Sequence, residues 1–282
     1  MKKCTRVMLI IAGSLFALGL ILTITGFLCG GRMKSISLIG GREINYMSID
    51  EDYSNTTIEN LDFEISTGKV YIEEGDAFRV SGSNIIEDTL EVEVKNNTLY
   101  MKDKDNFPWN LINHIGIFLD GGESKITVTI PKDTVIKNTE IEVKAGALTI
   151  DKLNTDVFDL DVDAGKATLD HLSVNNNGYI SMDAGSVNGE DYSGNNLEVD
   201  VSAGNLDLSG AFYNTLDIHL SAGRISIDTS LGEEEYSYDL DQNAGSIRVN
   251  DNNYKEYNDK NTSAKNKIKA KCEAGFITIE TK

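Results

Sequence analysis

The sequence predicts an all-β fold: a β-helix-like solenoid of roughly 20-residue rungs with Ala-Gly corners, preceded by one N-terminal transmembrane helix. Three observations lead to this prediction. An Ala-Gly dipeptide recurs at nearly constant spacing, apolar residues stand at constant offsets around it, and a long uncharged run lies near the N-terminus. Repeats of this length are typical of solenoids, in which each unit buries its apolar face only against its neighbours.

The N-terminal segment is long enough to cross a bilayer. Residues 7–28 carry no charge, and a helix of this length spans roughly 33 Å at about 1.5 Å per residue. Lys2, Lys3 and Arg6 precede it, so the positive-inside rule predicts a single-pass protein of the cell membrane whose bulk is extracytoplasmic. The alternatives are a cleaved signal peptide, whose apolar region is usually about 7–15 residues, and a lipid-modified Cys29.

The predicted organisation has five parts. They are a cytoplasmic end (residues 1–6), a transmembrane helix (7–29), a linker (30–54), an N-terminal β part with the cap of the solenoid (55–131), and the regular solenoid repeats (132–282). All 45 acidic residues and 20 of the 26 basic residues follow residue 42, which gives residues 43–282 a net charge of −25. Such a charge excludes nucleic acid and anionic lipid headgroups as partners of this part, whereas cationic partners remain compatible with it.

The Ala-Gly repeat defines the predicted corners. Its glycines are Gly146, Gly165, Gly185, Gly204, Gly223, Gly245 and Gly275, and most steps between them are 19 or 20 residues. The two longer steps, of 22 and 30 residues, are interpreted as loop insertions around residues 232–236 and 250–267.

Apolar residues alternate with polar ones on both sides of each corner. Val162 and Leu160 stand three and five residues before Gly165, and Ala167 and Leu169 stand two and four residues after it. Period-two alternation on both sides predicts a strand, a corner and a second strand, with the inward positions changing parity at the corner. Leu153, Leu172, Tyr192 and Phe212, which lie between successive units, predict a short third side.

The pattern continues more weakly upstream. Thr67-Gly68 is interpreted as the corner of an early or capping rung, residues 90–101 as a hairpin turning at Asn96-Asn97, and residues 126–130 as a strand ended by Pro131. Residues 107–119 are strongly apolar. We interpret them as a cap over the open end of the solenoid, with an exposed docking patch as the alternative.

No reactive centre is evident in the sequence. The three histidines stand apart from one another, and there is neither a phosphate-binding glycine loop nor a Gly-x-Ser-x-Gly elbow. We therefore predict no catalytic residue, no cofactor and no enzymatic activity. Outward positions before the corner are acidic, and Asp159, Asp161, Asp163 and Asp183 are the candidates for a cation-binding face, although a solvated acidic face is the simpler interpretation. The side after the corner is predicted to be neutral to basic.

These features together resemble a known family. The apolar N-terminal segment, the Ile-Thr-Val-Thr-Ile-Pro strand at residues 126–131 and the tandem Ala-Gly units look like the bacterial "putative adhesin" family of domains of unknown function. The resemblance implies a membrane-anchored β-solenoid that serves as a structural or binding module at the cell envelope, in adhesion or envelope stress. It implies an envelope protein, a glycan or a second copy as the partner. A carbohydrate-active β-helix enzyme that uses the acidic face and a calcium-dependent surface protein are the alternatives.

Overall fold

The computed structural model describes residues 36–37, 45–103, 116–117, 122–258 and 263–282. The chain divides into two compact units, one of residues 1–44 and 112–121, the other of residues 45–111 and 122–282. In the first unit, β1 (Ile36–Ser37) pairs antiparallel with β8 (Gly116–Ile117). No helix among the described residues is long and apolar enough to span a membrane, and the predicted segment at residues 7–29 lies outside them, as does most of the apolar segment at residues 107–119.

The second unit is a β-solenoid in which 21 strands form one continuous hydrogen-bonded sheet within the described residues. Strands that end just before a corner stack into a first wall, made of β3 (Asn60–Ile65), β7 (Thr98–Asp103), β10 (Val135–Val143), β12 (Leu153–Val162), β14 (Leu172–Met182), β18 (Tyr236–Gln242) and β22 (Asn266–Cys272). Strands that begin just after a corner stack into a second wall, made of β4 (Lys69–Gly75), β9 (Lys125–Pro131), β11 (Ala147–Ile150), β13 (Lys166–Asp170), β17 (Arg224–Thr229), β19 (Ser246–Val249) and β23 (Phe276–Glu280).

Two long strands belong to both walls. β15 (Ser186–Val201) and β16 (Asn205–Leu220) begin in the second wall and continue, through bulged segments, into the first wall of the next rung. Neighbouring rungs pair in parallel and in register, so that Val143 lies beside Val162 and Leu148 beside Ala167. The predicted solenoid with Ala-Gly corners is therefore confirmed.

The corner glycines form a column. The amide of Ala184 donates to the carbonyl of Asp163, and the amide of Lys166 donates to the carbonyl of Gly146, so each bend is hydrogen-bonded to the bend below it. A Cβ added to Gly165 would lie 2.6 Å from the carbonyl oxygen of Gly146, and one added to Gly204 would lie 2.7 Å from that of Gly185. Because the backbones approach this closely, a side chain does not fit at these corners.

The inward positions make one apolar core. Ile141, Leu160, Ile180, Val199 and Ile218, each five residues before a corner glycine, are at most 1% exposed. The residues predicted on the third side are also buried, and the rings of Tyr192 and Phe212 stack with centroids 5.3 Å apart. Tyr192 fills the space above Gly178, since an added Cβ there would lie 2.8 Å from its hydroxyl oxygen.

The order of the rungs differs from their order in the sequence. The last rung, formed by β22 and β23, lies between the Gly223 rung and the Gly245 rung, because β22 pairs with β16 on one side and β18 on the other. The column of corner glycines therefore runs from Gly223 to Gly275 and then to Gly245. At the other end, β9 pairs with β4, so a later segment is stacked beneath the Gly68 rung.

Charge accounts for the position of the inserted strand. β22 presents Lys267, Lys269 and Lys271 outward. The residues opposite them are Thr215, Asp217 and His219 on β16, and Ser237, Asp239 and Asp241 on β18. Lys269 lies 2.9 Å from Asp217 of β16, and Lys267 lies 3.0 Å from Asp239 of β18. The inserted strand thus places a lysine between Asp217 and Asp239, which would otherwise be like-charge neighbours.

Antiparallel strands cover both ends of the stack. β6 (Leu90–Lys95) pairs with β7 through a turn in which Asn96 and Asn97 both have positive φ, which confirms the predicted hairpin. β5 (Arg79–Ile86) pairs with β9, and β2 (Tyr46–Asp52) pairs with β5. At the opposite end, β20 (Asn252–Tyr254) pairs with β19 and β21 (Glu256–Asn258) pairs with β18. The segment predicted as a loop insertion after residue 249 thus contains two covering strands.

Candidate functional site

The outer face of the first wall carries two ladders of acidic side chains. One register row runs through Asp62, Glu140, Asp159, Tyr179, Glu198 and Asp217, and the next runs through Glu64, Glu142, Asp161, Ser181, Asp200 and His219. Neighbouring strands are about 4.8 Å apart, so successive carboxylates in a row interact directly. Tyr179 and Ser181 of β14 separate the acids of β12 from those of β15, which reduces the repulsion at this step.

Lysines neutralise both flanks of this wall but not its centre. Lys144 lies 2.6 Å from Glu64 and 3.7 Å from Glu142, and Lys102 lies 3.1 Å from Asp62. On the other flank, the lysines of β22 pair with Asp217 and Asp239. Between these flanks lies an acidic patch, in which no member makes an ion pair within the described residues; it consists of Glu140, Asp159, Asp161, Glu198 and Asp200.

A shallow depression of about 290 Å³ lies at the edge of the acidic patch. It is lined by polar outward side chains that include Asp159, Tyr179, Glu198 and Asp217. Burial, assisted by the negative charges of Asp161 and Glu140, raises the pKa of Asp159 above its usual value. Burial and these neighbouring charges therefore disfavour the ionised form of Asp159, and a cationic partner beside it would relieve the repulsion.

The structure separates the four acids predicted as a cation-binding face. Asp159 and Asp161 point outward from β12, whereas Asp163 and Asp183 follow the ends of β12 and β14 and lie at adjacent corners. Asp163 directly follows the last residue of β12, and it is exposed and close enough to Glu142 for its charge to contribute to the raised pKa of that carboxyl. Among the residues that the structure describes, no group of three or more His, Cys, Asp or Glu is arranged to hold a metal ion.

The second wall is neutral to basic only near the corner. Outward positions there include Thr149, Thr168 and Asn188, as predicted. The strands extend further than predicted, and their far ends add an acidic row that contains Asp170, Glu190, Asp228 and Glu280. The predicted contrast between the two walls is therefore confined to the part of the second wall next to the Ala-Gly column.

A ladder of amide side chains lies between the third side and the first wall of the solenoid, and it was not predicted. Asn175 donates to Asp156 at 2.9 Å, Asn195 donates to the carbonyl of Asn175 at 2.7 Å, and Asn214 donates to the side chain of Asn195 at 3.2 Å. The backbone N–H of Asn214 in turn donates to the side-chain oxygen of Asn266 at 2.9 Å, which continues the ladder into the inserted rung. Residues 156, 175, 195 and 214 are 19 or 20 residues apart, so the same periodicity could have revealed this ladder.

The end of the stack at the Gly245 rung contains a second candidate site. A cavity of about 350 Å³ is lined by Tyr236, Tyr238, Leu240, Val249, Tyr254, Tyr257, Glu233 and Glu234. The residues come from the last first-wall strand, from the two covering strands and from a short 3-10 helix, Glu233–Glu235. Both stretches were predicted only as polar loop insertions.

A comparison with solved structures finds several chains similar to this one. Similar solved structures include a "putative cell adhesion protein" from Clostridium sporogenes, with 13% identity, a TM-score of 0.42 and coverage of 84% of this chain and 100% of that one. A "putative adhesin" from Bacteroides fragilis has 14% identity, a TM-score of 0.39 and coverage of 84% and 97%. A "putative lipid binding protein" from Parabacteroides distasonis has 18% identity, a TM-score of 0.36 and coverage of 83% and 96%.

A search of curated proteins finds no significant match. The family model described as Toastrack DUF4097 matches residues 58–274, which is more than half of the chain and includes all seven Ala-Gly corners except the last residue, Gly275. The resemblance predicted from the Ala-Gly units is thereby confirmed, and the chain belongs to the Toastrack DUF4097 family.

Proposed function

We propose that this chain is a membrane-anchored, extracytoplasmic binding module whose solenoid presents the acidic patch of the first wall to a basic partner at the cell envelope. The observation that supports this function most directly is the patch itself. Lysines compensate the acids on both of its flanks, yet Glu140, Asp159, Asp161, Glu198 and Asp200 are left without ion-pair partners within the described residues. Similar solved structures carry the names of a cell adhesion protein and an adhesin, and a binding role for this chain agrees with those names.

The solenoid suits such a role physically. Each outward side chain on the first wall extends from a strand that is hydrogen-bonded on both sides, so the charges are held in position before a partner arrives. Complementary charge mainly increases the rate of association and selects against partners of the wrong sign. A basic face of an envelope protein fits this surface better than an uncharged glycan does.

A charge-matched pair of double variants tests the patch. Asp161→Asn with Asp200→Asn removes two charges from the patch, and Asp170→Asn with Asp228→Asn removes two charges from the far edge of the second wall. Retention of the purified full-length protein on isolated bacterial envelopes is measured at increasing salt concentration. We expect the patch variant to lose most of the salt-sensitive retention and the control variant to keep it. Equal losses in both variants would contradict the proposal, and so would the release of soluble sugar by the unmodified protein.

The membrane topology is tested separately. Tyr213 is 41% exposed, whereas Cys272 is buried, so a Tyr213→Cys variant adds one accessible thiol to the solenoid. In intact cells this variant should react with a membrane-impermeant maleimide beyond the level of the unmodified protein. Protection of the added thiol until the cells are lysed would show that the solenoid does not face outward.

A further inference from the structure

The cavity at the Gly245 end is formed by an incompletely filled rung. In the interior rungs each inward side chain packs between two neighbours, but Tyr236, Tyr238 and Leu240 of β18 have a complete rung on one side only, that of β22. On the other side lie the short strands β20 and β21, in which Tyr254 is placed opposite Ile247 and Tyr257 opposite Leu240. The end is therefore covered by aromatic side chains, and about 350 Å³ between them stays unfilled.

The aromatic rings around this cavity form two inclined pairs. The centroids of Tyr254 and Tyr257 are 4.7 Å apart with ring planes at 41°, and those of Tyr236 and Tyr238 are 6.3 Å apart with planes at 50°. Tyr236 is held in place because its hydroxyl donates to the carbonyl of Phe212 at 3.0 Å and lies 2.7 Å from the hydroxyl of Thr229. Tyr257 is 37% exposed and stands where the cavity meets solvent.

The charge at this cavity is negative. Glu233 and Glu234 line it, and the described residues that line it include no Lys or Arg. The side-chain amide of Asn250 donates to one carboxylate oxygen of Glu233 at 3.0 Å, which orients this group. Burial raises the pKa of Tyr254, and the nearby ring of Tyr257 and the charge of Glu233 contribute to this increase, so the carboxylate acts on the aromatic part of the site.

We propose that this end cavity binds an organic ammonium group, with the rings of Tyr254 and Tyr257 contacting the cation, the buried rings of Tyr236 and Tyr238 forming the floor, and Glu233 balancing the charge. Aromatic faces attract cations through the negative potential above the ring, and cages of several rings are a known solution for alkylated ammonium ions. A carboxylate beside the cage favours the same ligand, and the net charge of −25 on residues 43–282 draws cations toward the protein. The cavity volume falls within the usual range for small-ligand sites, which is about 300–1,000 Å³.

This inference concerns the end of the stack and not the first wall, so it is independent of the surface binding proposed above. The probe is choline, and the control ligand is 3,3-dimethylbutan-1-ol, which has the same shape without the charge. Binding to the full-length protein in a maltoside detergent is measured by calorimetry and by saturation transfer to the ligand methyl groups. We expect saturable choline binding and at least tenfold weaker binding of the neutral ligand.

Variants distinguish a cation cage from a general apolar cavity. Tyr257→Leu should weaken choline binding by roughly 2- to 30-fold, whereas Tyr257→Phe, which keeps the ring, should bind choline nearly as well as the unmodified protein. Glu233→Gln should also weaken binding, because it removes the charge while Asn250 can still donate to the amide oxygen. Tyr213→Leu removes an exposed ring elsewhere on the solenoid and serves as the matched control.

Three outcomes would overturn the proposal. They are equal binding of the charged and the neutral ligand, no choline binding at millimolar concentration, and equal weakening by Tyr257→Leu and Tyr213→Leu. If Tyr257→Leu does not fold, the comparison of the two ligands and the exposed Glu233→Gln variant still decide the question on folded protein.

Discussion

The substitution Gly204→Ala tests the close stacking of the corners. Its new methyl group would lie 2.7 Å from the carbonyl oxygen of Gly185 and 3.1 Å from the sulfur of Met182. The backbone at Gly204 has φ of +136°, which residues with a Cβ rarely adopt. Overpacking destabilises the folded state by about 1–3 kcal/mol, and the positive φ destabilises it by a further 1–3 kcal/mol. Alanine also restricts the unfolded chain more than glycine does, which offsets about 0.4–1 kcal/mol of this loss. We therefore expect a loss of about 1–6 kcal/mol in the free energy of unfolding.

Denaturant unfolding of the full-length protein in maltoside, followed by circular dichroism, measures this loss. Gly232→Ala is the matched control, because Gly232 has φ of −70° and a Cβ there would meet only the flexible carboxylate of Glu234. This control should change the free energy of unfolding by less than about 0.5 kcal/mol. If Gly204→Ala proved no more destabilising than Gly232→Ala, the corners would not be stacked as closely as the structure requires.

Three further predictions concern the inserted strand, the core and the acidic patch. Lys269→Glu should lower the free energy of unfolding by about 1–2 kcal/mol, since it places a third carboxylate in one row between Asp217 and Asp239. Lys282→Glu at the exposed C-terminus should change it little, and equal effects in denaturant melts would contradict the charge argument. Tyr192→Phe should leave the free energy of unfolding unchanged or raise it by up to about 1 kcal/mol, because the buried hydroxyl has no hydrogen-bond partner within the described residues. A loss above about 1 kcal/mol would show that the hydroxyl has such a partner. The raised pKa of Asp159 means that the folded state holds this proton more tightly than the unfolded chain, so ionisation of this carboxyl lowers stability above its folded pKa. Asp159→Asn should therefore raise the denaturation midpoint at neutral pH. The difference in midpoint between the variant and the unmodified protein should shrink as the pH falls through the folded pKa of Asp159, and a difference that stays constant with pH would contradict this explanation.

Much of the rung could be predicted because its determinants are local. The parity change at each Ala-Gly pair identified the corner, and the alternation before and after it identified the inward residues of both walls. The Asn96-Asn97 turn was predicted for the same reason, since two residues with positive φ suffice to form it. One detail that the local pattern did not specify is the end of β12, which lies one residue before Asp163.

The candidate sites depend on contacts that no local pattern specifies. The acidic patch exists because Lys144 and the lysines of β22 compensate some acids and leave others alone, and these pairs join residues as much as 80 positions apart. The end cavity exists because the covering strand β21 pairs with β18, which places Tyr257 on the strand next to that of Tyr238. The sequence of a polar insertion does not show that its tyrosines and glutamates surround one cavity.

The sequence by itself determined the shape of a rung, the place of its corners, the residues that face its interior and the strongly acidic character of the domain. Only the tertiary structure decided the order in which the rungs are stacked. Every rung has the same apolar pattern, so the pattern cannot specify which rung lies next to which. Two contacts favour the observed order: Lys269 of β22 stands between Asp217 of β16 and Asp239 of β18, and the backbone amide of Asn214 donates to the side chain of Asn266. As a consequence the Gly245 rung, and not the C-terminal one, ends the stack and carries the tyrosine-lined cavity.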